Sequence, residues 1–167
     1  YEMGHDDSRY DFDAIAGATR TASQKGKKST EQLAKLISSN DSAVRYWAAM
    51  GYLMRGKNGV RKGREALATA LEDASPSVRI IAAEALGRYG RKAEARRAAG
   101  VLMQYADPAK NGIALSMLAL NALDVLGEFT EPHKEAIADL ARIDPEANPR
   151  MRNYANRLIG RILSESK

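Results

Sequence analysis

The side chains with the most chemical reach in this sequence are cations. Arg55, Lys57, Arg61, Lys62 and Arg64 form one group, and Arg88, Arg91, Lys92, Arg96 and Arg97 a second. Both fall in and near turns between expected helices. A basic stripe of this kind can hold phosphates or sulfated sugars by electrostatics, so Arg55, Arg61, Lys62, Arg64, Arg88 and Arg91 are the candidate anion-binding residues. A simpler account is that they are solvated helix-end charges complementing the dipole. With 21 acidic residues interspersed among 26 basic ones, the net charge is only +5, which favours that account. Arg45 and Arg79 differ: each occupies the same place in a repeated segment. The guanidinium fork fits a carboxylate in bidentate fashion, so a ladder between repeats with Asp41 or Asp73 is expected.

Other chemistry is thin. The histidines, His5 and His133, stand far apart. His5-Asp6-Asp7 offers three metal-ligand types but has no second histidine nearby to complete a zinc set. His133 lies between Glu131 and Glu135 in an expected first helical turn and should be exposed. The chain has no Cys, which removes disulfides, thiolate metal sites and a thiol nucleophile, and fits either redox compartment. Gly56-Lys57-Asn58-Gly59 and Gly87-Arg88-Tyr89-Gly90 lack the Walker spacing. No Ser stands in a nucleophile-elbow pattern. No catalytic residue, metal ligand or cofactor is therefore assigned to this segment.

The elements carrying these residues repeat. Val44-Arg45-Tyr46-Trp47-Ala48-Ala49 returns as Val78-Arg79-Ile80-Ile81-Ala82-Ala83, 34 residues later. A third copy lies 37 residues on, with Ala119, Ala122, Leu123 and Gly127 matching Ala82, Ala85, Leu86 and Gly90. A worn fourth copy holds Met151, Arg152, Ala155 and Ile159, entered by Asn148-Pro149. A helical pattern at this period means an α-solenoid, whose units bury their apolar faces by stacking on neighbours. Val44, Trp47, Ala48, Gly51 and Tyr52 fall on one helical face, and so do Val78, Ile81, Ala82, Ala85 and Leu86.

Asp41, Ser75 and Asn148 are expected N-caps, with Pro76 and Pro149 at first helical positions. Gly56, Gly90 and Gly127 fall where a helix end takes a left-handed residue. A second set of helices is expected over about residues 29–39, 60–73, 91–106 and 131–143. Ser29 with Gln32 can form a capping box for the first, and Thr130 can cap the last. Each pairs with the next repeat helix, predicting four hairpins behind an N-terminal capping helix over about residues 11–24. Lys25-Gly26-Lys27-Lys28 reads as a solvated turn. Tyr46, Met50, Ile80, Glu84 and Asn121 lie off the core stripe at matching repeat positions. They are the candidate binding face, against the alternative of inter-repeat packing. No run approaches the roughly 18 apolar residues of a membrane span.

Asp-Ser-Ala-Val-Arg-Tyr-Trp-Ala-Ala (41–49) and Ser-Pro-Ser-Val-Arg-Ile-Ile-Ala-Ala-Glu-Ala-Leu (75–86) resemble HEAT repeats of the bacterial type also found in phycobilisome lyases. That resemblance covers about residues 29–163. Tyr1-Glu2-Met3-Gly4-His5-Asp6 together with 41–49 resembles more narrowly the C-terminal extension of bacterial formylglycine-dependent sulfatases. The narrower resemblance implies an upstream catalytic domain with a Cys (or Ser)-x-Pro-x-Arg motif and a Ca²⁺ held by Asp and Asn. None of that is in this sequence. Ser75-Pro76-Ser77-Val78-Arg79 differs from the motif, because its Ser abuts the Pro.

The sequence thus predicts an all-α fold. Residues 1–10 are read as a linker from a missing upstream domain, in keeping with a start at Tyr1, and residues 11–167 as the solenoid. The expected function is a non-catalytic interaction or scaffold module. Its expected partner is its own upstream catalytic domain or another protein, with a sulfated glycan as a further ligand; nucleic acid and membrane are not expected partners. A sulfatase link implies a periplasmic or secreted location. Two alternatives stay open: a nucleic-acid-binding relative of HEAT-like enzymes that excise alkylated bases, and a stand-alone protein of the phycobilisome-lyase kind.

Overall fold

The computed structural model describes residues 11–140 and 149–164. Helices follow in the order α1 (Phe12–Ser23), α2 (Lys27–Leu36), α3 (Ser42–Met54), α4 (Gly56–Lys62), α5 (Arg64–Ala70), α6 (Pro76–Tyr89) and α7 (Lys92–Met103). Then come α8 (Pro108–Val125), two 3₁₀ turns (Gly127–Phe129 and Glu131–His133), α9 (Lys134–Ala138) and α10 (Pro149–Ser164). No strand occurs among the described residues. The linker assigned to residues 1–10, the Asn148 cap and the stretch from residue 141 to 148 lie outside them.

α1, α3, α6, α8 and α10 stack in sequence, each packed on the next, and make one layer. The second layer runs beside it. α2 packs on α1 and α3, α4 on α3 and α6, α5 on α6, α7 on α6 and α8, and α9 on α10. This is the expected solenoid. Val44 and Val78 hold equivalent places, 2% and 0% exposed. Leu115 packs against the same core. In the fourth copy Ala155 and Ile159 are buried.

Small residues let the layer-one helices close on each other. A Cβ on Gly51 would come within 2.7 Å of Leu33 Cδ2 and 3.1 Å of Ala22 Cα, so only glycine admits α1 and α2 to this face of α3. Gly63 plays the same part under Tyr52: a Cβ there would meet the phenol ring at 2.5 Å. That contact falls at the junction of α4 and α5, where one continuous helix was expected over about 60–73.

Several caps also depart from expectation. Asp41 accepts from the Ala43 and Val44 N–H groups, as expected. Ser75 makes no side-chain cap; Asp73 instead accepts from the Ser75 N–H at 2.7 Å. The Ser29–Gln32 capping box does not form, because α2 begins two residues earlier and Ser29 lies inside it. The Ser29 hydroxyl donates to the Gln24 and Gly26 carbonyls, both at 3.1 Å. The Thr130 hydroxyl, buried, donates to the Leu123 carbonyl at 2.6 Å rather than capping the next helical turn. Gly56 and Gly127 are left-handed at φ +59° and +54°, but Gly90 is not, at φ −78°. An unforeseen left-handed glycine, Gly112 at φ +74°, kinks the start of α8.

The apolar stripe is rotated from its expected line. In α3 the buried residues are Val44, Ala48, Ala49, Gly51, Tyr52 and Leu53, which leaves Trp47 half-buried at the margin. Its ring meets Tyr46 edge-on at 5.8 Å. α3 is packed by α2 and α4 as well as by α1 and α6, and Ala49 and Leu53 are buried in addition to the expected stripe. Ile81, as expected, is buried at 5% exposure.

The arginine ladder forms over one step. Arg45 Nε and Nη2 donate to the two Asp73 carboxylate oxygens at 2.7 and 2.8 Å. Arg45 Nη1 also donates to the Ser39 and Asn40 carbonyls at 2.9 and 3.0 Å. Arg79 bonds back in the same way, from Nε to the Asp73 carbonyl, six residues upstream as Ser39 is from Arg45. Its forward partner is the Tyr105 hydroxyl at 3.2 Å and not a carboxylate. In the third copy the position is Ser116, fully buried, and the ladder ends.

Ile81→Ala should cost about 2–5 kcal/mol in chemical denaturation; a loss below about 1 kcal/mol would mean the side chain is not in the core. The Asp73 carboxyl is held below its ordinary value, first by the Arg45 hydrogen bonds and further by the Ser75 N–H and the Arg45 and Arg79 charges, against the effect of burial. A depressed folded-state value means that the stabilisation is present above the ordinary aspartate range, near 4. It is lost as pH falls through the folded value. Asp73→Asn should therefore destabilise by about 1–3 kcal/mol at neutral pH. That difference should hold down to about pH 5 and shrink in stronger acid. A difference unchanged at about pH 2 would contradict the pairing.

Candidate functional site

The sequence marks two surfaces, and the fold treats them differently. On layer one, Tyr46 and Met50 are half-buried and pack against the core. The Tyr46 hydroxyl is pushed above its ordinary pKa by burial, and then by the Glu84 charge across the α3–α6 contact. Glu84 itself pairs with Arg88 at 2.9 Å. Ile80, at the position matching Tyr46, is only 3% exposed and forms no part of an open face. The reason is crowding: α6 is packed by α3, α4, α5, α7 and α8. Asn121 is spoken for as well. It donates to the Met117 carbonyl at 2.7 Å and accepts from the Tyr154 hydroxyl at 2.8 Å, across the α8–α10 contact. The off-stripe positions lie on α3, α6 and α8, and Ile80 and Asn121 among them serve packing.

One opening on this layer is a shallow cleft of ≈310 Å³ across the first turns of α3 and α6 and the body of α8. Ser42, Ala43, Tyr46, Ser75, Ser77 and Leu118 line it. Leu118 is 43% exposed, a large apolar side chain facing solvent. Nothing in the repeat pattern points to it, since Leu118 falls at the repeat position of Trp47 and Ile81, which the pattern assigns to the core.

The basic turns divide into engaged and open cations. Arg55 is a structural clamp. Its Nη1 donates to the Ala22 and Gly51 carbonyls at 2.8 and 2.6 Å, and its Nη2 to the Thr21 carbonyl at 3.0 Å, the Gln24 carbonyl and the Ser29 hydroxyl. It thereby satisfies carbonyls that the end of α1 would leave unpaired. Burial pulls its pKa below the ordinary guanidinium value. Arg55 therefore has no free terminal nitrogen to offer as an anion contact. Arg64 forms an ion pair with Glu94, Nε to Oε1 at 3.2 Å, without hydrogen-bond alignment. Arg97 pairs with Glu72 at 2.9 Å. Arg88 lies over the Tyr89 ring at 5.2 Å besides holding Glu84. Of the six candidate anion residues, Arg61, Lys62 and Arg91 are exposed without such an engagement of their side chains. Arg91 contributes its backbone N–H, which donates to Glu94 Oε2 at 2.6 Å.

The described residues contain no group of three or more His, Asp or Glu side chains suited to a metal ion. His133 is half-buried rather than exposed. No single helix among the described residues is long and apolar enough to cross a membrane.

A comparison with curated proteins finds no match. A family model described as HEAT repeats matches residues 30–117, more than half of the chain, from within α2 to within α8. That stretch contains both clear copies of the repeated segment and the Arg45–Asp73 step between them. The chain belongs to the HEAT-repeat family.

Proposed function

We propose that this chain is a non-catalytic interaction module, joined through its N-terminal side to the catalytic domain of a bacterial formylglycine-dependent sulfatase that works in the periplasm or outside the cell. The observation that carries the module reading is the layer-one cleft with Leu118 at its rim. HEAT-repeat stacks commonly serve as scaffolds, and the exposed Leu118 beside the half-buried Tyr46 gives this cleft apolar surface that a partner can cover. What supports the sulfatase link is narrower: residues 1–6 and 41–49 resemble the C-terminal extension of that family. Any Ca²⁺ and any nucleophile would belong to the adjoining domain.

On this reading the layer-one cleft docks the adjoining domain. The repeats then act as a rigid plate that fixes the orientation of a neighbour. Support for a docking role over base excision comes from Trp47. It packs edge-on against Tyr46 rather than standing among the cationic turns, where a base-stacking platform would be needed.

Two outcomes are expected. The purified 167-residue chain should not hydrolyse a chromogenic aryl sulfate in the presence of calcium; turnover that survives repurification would refute a non-catalytic role. In the full-length polypeptide, Ser42→Glu with Leu118→Glu should open a new protease-sensitive site near Tyr1 while leaving the melting temperature of the isolated chain within about 2 °C. An unchanged digestion pattern would remove the layer-one cleft as the docking surface.

A further inference from the structure

We infer that a second cleft, between the α1–α2 turn and α4, is a binding site for a sulfate ester carried on a polysaccharide. The inference rests on this cleft alone and goes beyond the docking role of layer one. The cleft has a volume of ≈420 Å³ and is lined by Lys25, Lys27, Arg55, Lys62 and Asn58 among others, with no acidic and no aromatic residue. Lys25 and Lys27 come from a turn that the sequence marks only as solvated. The fold brings them to Lys62, 35 residues beyond Lys27.

The charges gathered there have one distant carboxylate partner among the described residues. No described carboxylate pairs with Lys25, Arg55 or Lys62, and Lys27 comes no nearer than 4.0 Å to the exposed Glu31. Arg55 forms the inner wall. Its terminal nitrogens are bound to carbonyls and a hydroxyl, groups that solvate a cation without cancelling its charge. Its Nε is buried without a partner, and burial disfavours its charged form. α2 adds to the imbalance. It opens on Lys27-Lys28 with no acid in its first turn, the reverse of what a helix dipole favours. The charged side chains that line the cleft are all basic, a set that an anion complements.

Three features narrow the ligand class. An aromatic platform for stacking bases is absent from the lining, which disfavours single-stranded nucleic acid. The only guanidinium in the lining is committed to carbonyls, so no fork is free to grip a phosphate dianion in bidentate fashion. What is offered is a set of exposed lysine point charges and the exposed Asn58 amide along an open trough. This suits the singly charged sulfates of a hydroxyl-rich chain.

The test is calorimetric titration of the 167-residue chain with a size-defined heparin oligosaccharide at fixed ionic strength. Parallel titrations use the N- and O-desulfated oligosaccharide and a single-stranded DNA of equal charge. Lys25→Ala with Lys62→Ala should weaken heparin binding by about tenfold or more, whereas Lys92→Ala with Arg96→Ala, which removes the same charge outside the cleft, should change it by less than about twofold. Both pairs alter exposed side chains, and unchanged melting temperatures confirm folding. The inference is overturned by any of four results: no saturable heparin binding, equal weakening by both pairs, retention of the desulfated chain, or DNA bound as tightly as heparin.

Discussion

Burial of α6 on almost every side is the constraint on which the rest of this structure depends. Its neighbours are α3 and α8 within layer one and α4, α5 and α7 in layer two. Val78, Ile80, Ile81, Ala82, Ala83, Ala85, Leu86 and Gly87 are all buried. A helix apolar around so much of its surface has no stable existence alone. It holds only because repeats on both sides close over it, which is the nearest-neighbour logic of a solenoid. The run of alanines sets the spacing: short side chains on α3 and α6 let the helices approach, and larger ones fill the gap to layer two. Polar chemistry is consequently pushed to the helix ends and the outer helices.

At those ends, arginines act as staples. Arg45 and Arg79 each reach back six residues to a loop carbonyl and forward to the next repeat. Arg55 closes the end of α1 from α3. These bonds satisfy backbone carbonyls at turns, where a repeat protein has the fewest internal partners. They also fix the angle at which one repeat meets the next. Lysine would not substitute well, since a point charge cannot bridge a carboxylate and two carbonyls in one plane. The distinction between staple and free cation is therefore one of partners rather than position along the chain: Arg55 and Lys62 are seven residues apart yet belong to different classes.

Much of this architecture was legible in the sequence, and the reasons are local. Equivalence of Val44 with Val78 follows from a pattern repeated within a helix, and the Arg45–Asp73 step from side-chain geometry that demands a carboxylate. What was not legible depends on neighbours the pattern does not name. Trp47 and Ile81 occupy one repeat position, but Trp47 is marginal in α3 while Ile81 is enclosed in α6. Ile80 looked like surface by periodicity and is buried by crowding. Gly63 breaks the expected second-layer helix at the place where the Tyr52 ring meets it. The same holds for the candidate sites: Asn121 was chosen by register and is covered by Tyr154. Leu118 shares the repeat position of Trp47 and Ile81 yet is exposed.

Stacking also explains why the open chemistry sits where it does. Interior repeats have both flanks covered, so their off-stripe residues are consumed by packing, as with Ile80. Among the described residues, the first hairpin has a repeat packed on one side only, and the α1–α2 turn is held by the Ser29 hydroxyl and one arginine staple, Arg55. Cations clustered around that staple repel one another, and a bound anion would relieve that repulsion. Some cations elsewhere are neutralised within the fold, as Arg64 with Glu94 and Arg97 with Glu72. Lys25, Lys27 and Lys62 lie within the same small protein and are left without such partners at close quarters. In a chain with nearly as many acids as bases, this is a local imbalance of placement rather than of composition. An end repeat can tolerate it, because its stability rests mainly on the apolar contact of α1 with α3, which involves none of those lysines.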